Sequence, residues 1–172
     1  VMATQNPIEQ EGTYPLPEAQ LDRFLMHVTV GYPDTAAEHE ILKLVRSELV
    51  NPVAAQPPPL LTQMEIFAAR KELAELFMAP AVERYIVELI AATRGDIDGL
   101  EYGASPRGTI GLDQCSRATA WLDGRNFVSP DDVQSVVHDV LRHRLILTFE
   151  AEARGLTSDT IIDTLLETVA VP

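Results

Sequence analysis

Three polar residues stand where their neighbours do not explain them, and all three are of types that handle phosphate oxygens: Asn6, Arg23 and Arg107. Asn6 follows the apolar run Val1-Met2-Ala3-Thr4 after one residue and precedes Pro7. A strand ending there would project the amide from the carboxyl edge of a sheet, where α/β folds bind ligands. The plain alternative is a turn, which an Asn-Pro pair forms by itself. Arg23 sits in Leu21-Asp22-Arg23-Phe24, at the junction of a short helix and a strand. Its plain alternative is an ion pair with Asp22 or a solvated helix end. Arg107 sits in Gly103-Ala104-Ser105-Pro106-Arg107-Gly108, at the very start of a helix. The positive end of a helix dipole mildly repels a cation, so an arginine there marks a place that wants positive charge. An arginine beside helix-start amides suits a phosphate or a carboxylate.

Other reactive residue types form no constellation. The four histidines are His27, His39, His138 and His143. None lies in H-E-x-x-H, and a spacing of five puts His138 and His143 on different helical faces. The lone Cys115 falls on the inner face of a helix and reads as a small core hydrophobe rather than a nucleophile. It excludes a disulfide framework and a multi-thiolate metal site. No G-x-S-x-G occurs, and the stretch from Gly95 to Gly111 does not match the phosphate loop G-x-x-x-x-G-K-[ST]. On these residues alone, nothing performs chemistry.

The elements that would position the three residues divide into two styles. Val1–Thr4 reads as a strand feeding a loop rich in Pro, Gly and Glu over residues 7–15. Leu16 to Leu21 reads as a short helix with Pro17 in its first turn, and Phe24 to Val30 as a second strand ending at Gly31 and Pro33. From residue 34 the period becomes helical. Asp34 or Thr35 caps a helix with Ile41, Leu42, Val45 and Leu49 on one face. A Pro-rich linker at about 51–59 follows, then a helix from Thr62 to Phe77. Pro80 opens a third with Val82, Tyr85, Ile86, Leu89 and Ile90 on one face, and residues 95–105 read as loop. Pro106 opens a fourth with Cys115, Ala118 and Leu122 aligned. Ser129-Pro130-Asp131-Asp132 opens a fifth with Val133, Val136, Val137, Val140 and Leu141 inward, and Ser158 or Asp159 a last one bearing Ile161, Ile162, Leu165, Leu166 and Val169. The expected fold class is mostly α: a strand-helix-strand portion over 1–33, then an all-helical domain over 34–172.

Composition bounds the function. The 172 residues include 26 acids against 13 Lys and Arg, a formal net charge of −13, with 46% apolar residues. That apolar share supports a packed domain. The charge repels nucleic acid unless a basic stripe exists, and the densest basic cluster is only Arg142-His143-Arg144. No apolar run is long enough to span a membrane, and no secretory start is present, so a cytoplasmic setting is expected. The opening Val1-Met2-Ala3-Thr4 reads like the middle of a strand and predicts a piece of something longer.

The order of these features adds what no single one carries. The run from Val1-Met2-Ala3-Thr4-Gln5-Asn6-Pro7 through Leu21-Asp22-Arg23-Phe24 resembles the MoxR family of AAA+ ATPases. The likeness continues through Gly31-Tyr32-Pro33, Gly103-Ala104-Ser105-Pro106-Arg107, Asp123-Gly124-Arg125, Pro130-Asp131-Asp132-Val133 and Val140-Leu141-Arg142-His143-Arg144. It implies the end of an AAA+ α/β nucleotide-binding domain followed by a helical lid. By resemblance, Asn6 corresponds to sensor 1, which helps orient the water attacking the γ-phosphate. Arg23 corresponds to the arginine finger, reaching the ATP of a neighbouring subunit, and Arg107 to sensor 2 on the lid, contacting the γ-phosphate. The resemblance further implies ATP with Mg as cofactor and a hexameric or similar ring. It also implies a chaperone-like role in maturing or assembling protein complexes, with von Willebrand factor A-domain partners. The family's Walker A and Walker B motifs are not in this sequence, so the chain by itself is expected neither to bind nor to hydrolyse ATP. The first thirty residues are expected to need partner strands that these residues do not supply. The alternatives are a non-catalytic helical adaptor, or a helicase-loader type of AAA+ protein, for which the −13 balance offers no basic surface.

Overall fold

The computed structural model describes residues 1–6, 16–50 and 59–172. The loop expected at 7–15 and the linker, apart from Pro59, lie outside the described residues. By backbone proximity the chain divides into two compact units, Val1–His27 with Leu76–Pro172, and Val28–Glu75.

Neither expected strand of the opening portion forms: residues 1–6 and 26–34 have no strand assignment. A strand is a hydrogen-bonded ladder, and no described residue offers these segments a neighbouring strand. Between them, α1 (Glu18–Leu21) is a single turn that starts after Pro17 and holds Glu18 in its first turn. The unit Val28–Glu75 holds α2 (Thr35–Val50) and α3 (Gln63–Glu75). The Asp34 carboxylate caps α2, accepting from the Ala37 N–H at 2.7 Å. Thr62 and Glu65 form a reciprocal cap on α3: the Thr62 N–H donates to Glu65 at 2.6 Å and the Glu65 N–H to Thr62 Oγ1 at 3.3 Å. Neither helix buries a residue, and the α2 stripe of Ile41, Leu42, Val45 and Leu49 is exposed.

The larger unit owns the hydrophobic core, built by α4 (Pro80–Ala92), α5 (Pro106–Leu122), α6 (Pro130–Leu141) and α8 (Ser158–Thr168). The expected faces of α4 and α6 are buried as predicted: Val82, Tyr85, Ile86, Leu89 and Ile90 from one, Val133, Val136, Val137, Val140 and Leu141 from the other. Tyr85 carries a polar atom into this core, and Gln134 Nε2 donates to its hydroxyl at 3.1 Å. On α5 the buried face differs from the expected one. Leu122 is exposed, and the inward residues are Gly108, Gly111, Leu112, Cys115, Ser116 and Ala120. Small residues there let α6 approach: a Cβ on Gly111 would lie 3.0 Å from Val140 Cγ1. The last helix is capped one residue earlier than expected, by Thr157, whose Oγ1 accepts from the Thr160 N–H at 3.2 Å.

Among the described residues, four short strands escape the sequence reading. β1 (Phe77–Met78) pairs in parallel with β3 (Phe127–Val128), and β2 (Leu100–Tyr102) antiparallel with β4 (Ile146–Leu147). Two or three residues are too few for a period to show. A 3-10 turn, Arg142–Arg144, ends α6, and a five-residue α7 (Phe149–Ala153) follows β4, started by Thr148 as its N-cap.

Candidate functional site

The start of α5 explains how Arg107 is placed. Gly103 passes so close to the end of α4 that a Cβ there would sit 2.1 Å from the Thr93 carbonyl oxygen. Only glycine fits that approach. Next, Ala104 is buried, with its N–H donating to Thr93 Oγ1 at 3.0 Å and its carbonyl accepting from Arg94 Nε at 2.9 Å. Ser105 then caps the helix, accepting from the Arg107 N–H at 3.2 Å, and Pro106 takes the first helical position. Arg107 is thus delivered, half-exposed, in the first turn of a helix whose tail is anchored in the core.

The residue that meets Arg107 is Asp22. Its carboxylate accepts from Arg107 Nη1 at 3.0 Å, from Ser105 Oγ at 2.9 and 3.0 Å, and from Arg144 Nε at 3.2 Å. Partial burial alone would raise this carboxyl. The hydrogen bonds from Arg107 and Ser105 and the charges of Arg144 and Arg107 outweigh it and hold Asp22 below the usual carboxylate range. The expected alternative for Arg23, an ion pair with Asp22, does not form. Adjacent side chains diverge, and the Asp22 carboxylate is taken by the two more distant arginines. Arg23 itself is exposed, and its guanidinium makes no ion pair among the described residues. Asn6 lies on the exposed opening segment 1–6, outside any helix or strand.

The basic triplet at the end of α6 grips the backbone around Arg23. Arg144 Nη2 donates to the carbonyls of Asp22 at 3.3 Å and Phe24 at 2.5 Å, and Nη1 to those of Leu25 at 3.3 Å and Val140. His143 Nε2 lies 3.1 Å from the Phe24 carbonyl, and Arg142 Nη1 donates to the His27 carbonyl at 2.7 Å. The His27 N–H in turn donates to the Asp139 carbonyl at 2.7 Å. Because a carbonyl only accepts, His143 carries its proton on Nε2. Its Nδ1 is buried without a partner among the described residues. Burial, reinforced by the charges of Arg144 and His27, pushes this imidazole down to about 4 against a weaker opposing effect of the Phe24 bond. Arg142 is pinned sideways by Asp159 at 2.8 Å and Asp139 at 2.9 Å.

These partners were missed by sequence reasoning for one reason: they act on backbone carbonyls more than 100 positions away, and no spacing rule reports that. The triplet's density was visible, and its purpose was not. Two other quoted segments have structural explanations. Arg125 holds Asp132 bidentately, Nη1 to Oδ2 at 2.7 Å and Nη2 to Oδ1 at 2.5 Å, and also reaches Asp123 at 3.0 Å. Asp132 is nearly fully buried and also accepts from the N–H and hydroxyl of Ser129, so Asp123-Gly124-Arg125 and Pro130-Asp131-Asp132-Val133 together lock the start of α6. Cys115 is buried and its thiol is pushed up to about 11 by burial, which suits a core residue.

Comparison with known proteins agrees with this layout. A model of the AAA lid domain matches residues 92–165, and one of the ATPase family associated with various cellular activities (AAA) matches residues 1–26. The chain is 42% identical, over its whole length, to Chaperone MoxR1 of Mycobacterium tuberculosis, covering 46% of that protein. It is 40% identical to the uncharacterised protein YeaC of Bacillus subtilis, again over its whole length and 52% of the relative. The crystal structure of a candidate ATPase from Cytophaga hutchinsonii superimposes with a TM-score of 0.87 at 36% identity, covering 98% of this chain and 52% of that one. The chain therefore spans about half the length of the curated relatives it matches.

Proposed function

Because this chain belongs to the MoxR-type AAA+ ATPases, of which it carries the end of the nucleotide-binding module and the lid, we propose that it supplies the arginines that complete ATP hydrolysis at the interface of a ring. The observation that carries this reading is the junction at Asp22: its carboxylate holds Arg107, and the next residue, Arg23, is exposed with a guanidinium that makes no ion pair among the described residues. Phosphoryl transfer needs little covalent chemistry from a protein and much charge neutralisation and positioning. Arginine's planar fork suits that task. Both side chains fit phosphate oxygens. Arg23 needs no bond broken, and Arg107 exchanges a half-exposed ion pair, worth about 1 kcal/mol or less, for a stronger charge-assisted contact.

In this mechanism Arg23 reaches the γ-phosphate of the neighbouring subunit's nucleotide and stabilises the charge that builds as the attacking water bonds to phosphorus and the bridging oxygen leaves. Arg107, on leaving its ion pair with Asp22, contacts a γ-phosphate as well. Asn6 orients the water. Mg accompanying the ATP would neutralise charge on the phosphate oxygens. The ring, hexameric or similar, works as a chaperone-like motor in the maturation or assembly of other complexes, with von Willebrand factor A-domain proteins among its partners. In the complete protein containing these residues, Arg23→Ala should lower ATP turnover about a thousandfold or more while leaving ATP affinity nearly unchanged. Normal turnover in that variant removes Arg23 from the role.

A further inference from the structure

We propose that Arg144 is a positioning residue for ATP hydrolysis: from the end of the lid's α6 it fixes the backbone on both sides of Arg23 and, through the Asp22 carboxylate, the guanidinium of Arg107. The proposal rests on the reading of Arg23 and Arg107 given above. Arg144 is 6% exposed, too buried to touch a nucleotide itself. A buried cation is costly and is tolerated when every donor is met. Here the donors meet the Asp22 carboxylate and the carbonyls of Asp22, Phe24, Leu25 and Val140. All but one of those acceptors lie between residues 22 and 25. Arg144 therefore holds the chain on either side of Arg23 and leaves the Arg23 side chain free to meet an anion. Arg142 and His143 extend the same grip to the carbonyls of His27 and Phe24. A movement of the end of α6 must carry the Arg23 segment with it, so the lid and the arginine finger move as one piece. Lysine cannot replace this: its three donors radiate from a single atom and cannot face a carboxylate and separated carbonyls together.

The test uses the complete protein, with nucleotide sites counted by a fluorescent ATP analogue and turnover expressed per site. Arg144→Lys should lower kcat per site by about tenfold to a hundredfold, the scale of a small misplacement of a catalytic group, with KM and analogue affinity within about threefold of wild type. A purely structural role would instead reduce the number of sites and leave turnover per site unchanged, and that result overturns the proposal. Should Arg144→Lys fail to fold, Asp22→Asn probes the same relay, because it keeps the Arg144 contacts to backbone and weakens the carboxylate's hold on Arg107, Ser105 and Arg144 Nε. Turnover per site is expected to fall there too, and an unchanged value overturns the proposal. Arg23→Ala is measured alongside. If Arg23→Ala hydrolyses ATP normally, the finger reading itself fails. If Arg23→Ala is inactive and Arg144→Lys matches wild type, only the positioning role fails.

Discussion

Buried Asp132 and half-buried His143 make opposite demands at residue scale, one as a charged group and the other as a neutral one, and each yields a measurable consequence. Asp132 is satisfied by Arg125 and by the N–H and hydroxyl of Ser129. Arg125→Ala would leave its carboxylate with the Ser129 contacts alone, and breaking a buried pair from one side costs about 3 kcal/mol or more. Urea unfolding of the chain should show that loss in the midpoint, and a shift under a third of it would mean the pair is dispensable. His143 behaves in the reverse sense, since its folded form holds the proton too weakly. The unfolded imidazole titrates at 6.5 and the folded one at about 4. Between those values the unfolded state binds more protons, so stability falls as pH drops from 6.5 to 4, by up to about 3 kcal/mol. Asp22, held below its ordinary value of 3.8, contributes stability that is lost only at pH lower still. His143→Gln keeps a donor near the Phe24 carbonyl and removes the titration. Its stability should fall less than that of the wild type between pH 7 and pH 4.5, and equal losses would exclude His143 as the source.

At the scale of elements, the approach of Gly103 to Thr93 sets the entrance to α5. Gly103→Ala forces a Cβ to within 2.1 Å of a backbone oxygen, so the strand-to-helix connection must shift. We expect a loss of about 2 kcal/mol or more in thermal unfolding, and in the complete protein a fall in turnover, because Ser105 and Arg107 move with it. Wild-type stability would show that the connection yields freely. The long helices were legible from apolar spacing alone: α4 and α6 bury the faces that their sequences announce. α5 was legible at its start, from Ser105-Pro106, and at Cys115, and misread elsewhere, because Gly108, Gly111 and Ser116 are buried without being hydrophobic and Leu122 is hydrophobic without being buried. The opening strands do not form for the reason expected of them, the lack of partner strands among the described residues. Their patterns are those of strands, and a strand exists only with a partner to complete its ladder. Of the site, Arg23 and Arg107 were visible as residues out of place. Asp22 and Arg144, which join them, were not, since their meeting is made by the fold.

For the whole molecule, the family assignment and the geometry lead to one division of labour. These residues present arginines and a lid, and they include no phosphate-loop motif. The purified 172-residue chain should accordingly show no ATP turnover above background in a coupled assay, and robust turnover would contradict the assignment of roles. The net charge of −13 argues against a duplex partner, and no helix among the described residues is long and apolar enough to cross a membrane. The claim that binds these scales together is that Arg23 acts on a neighbour's nucleotide. Mixing two complete proteins tests it most directly: one carries Arg23→Ala with an intact phosphate loop, the other an intact Arg23 with its phosphate-loop lysine replaced. Each alone should be inactive, and the co-assembled mixture should hydrolyse ATP, because an intact Arg23 then faces an intact nucleotide site. A mixture that assembles and stays inactive would contradict the account.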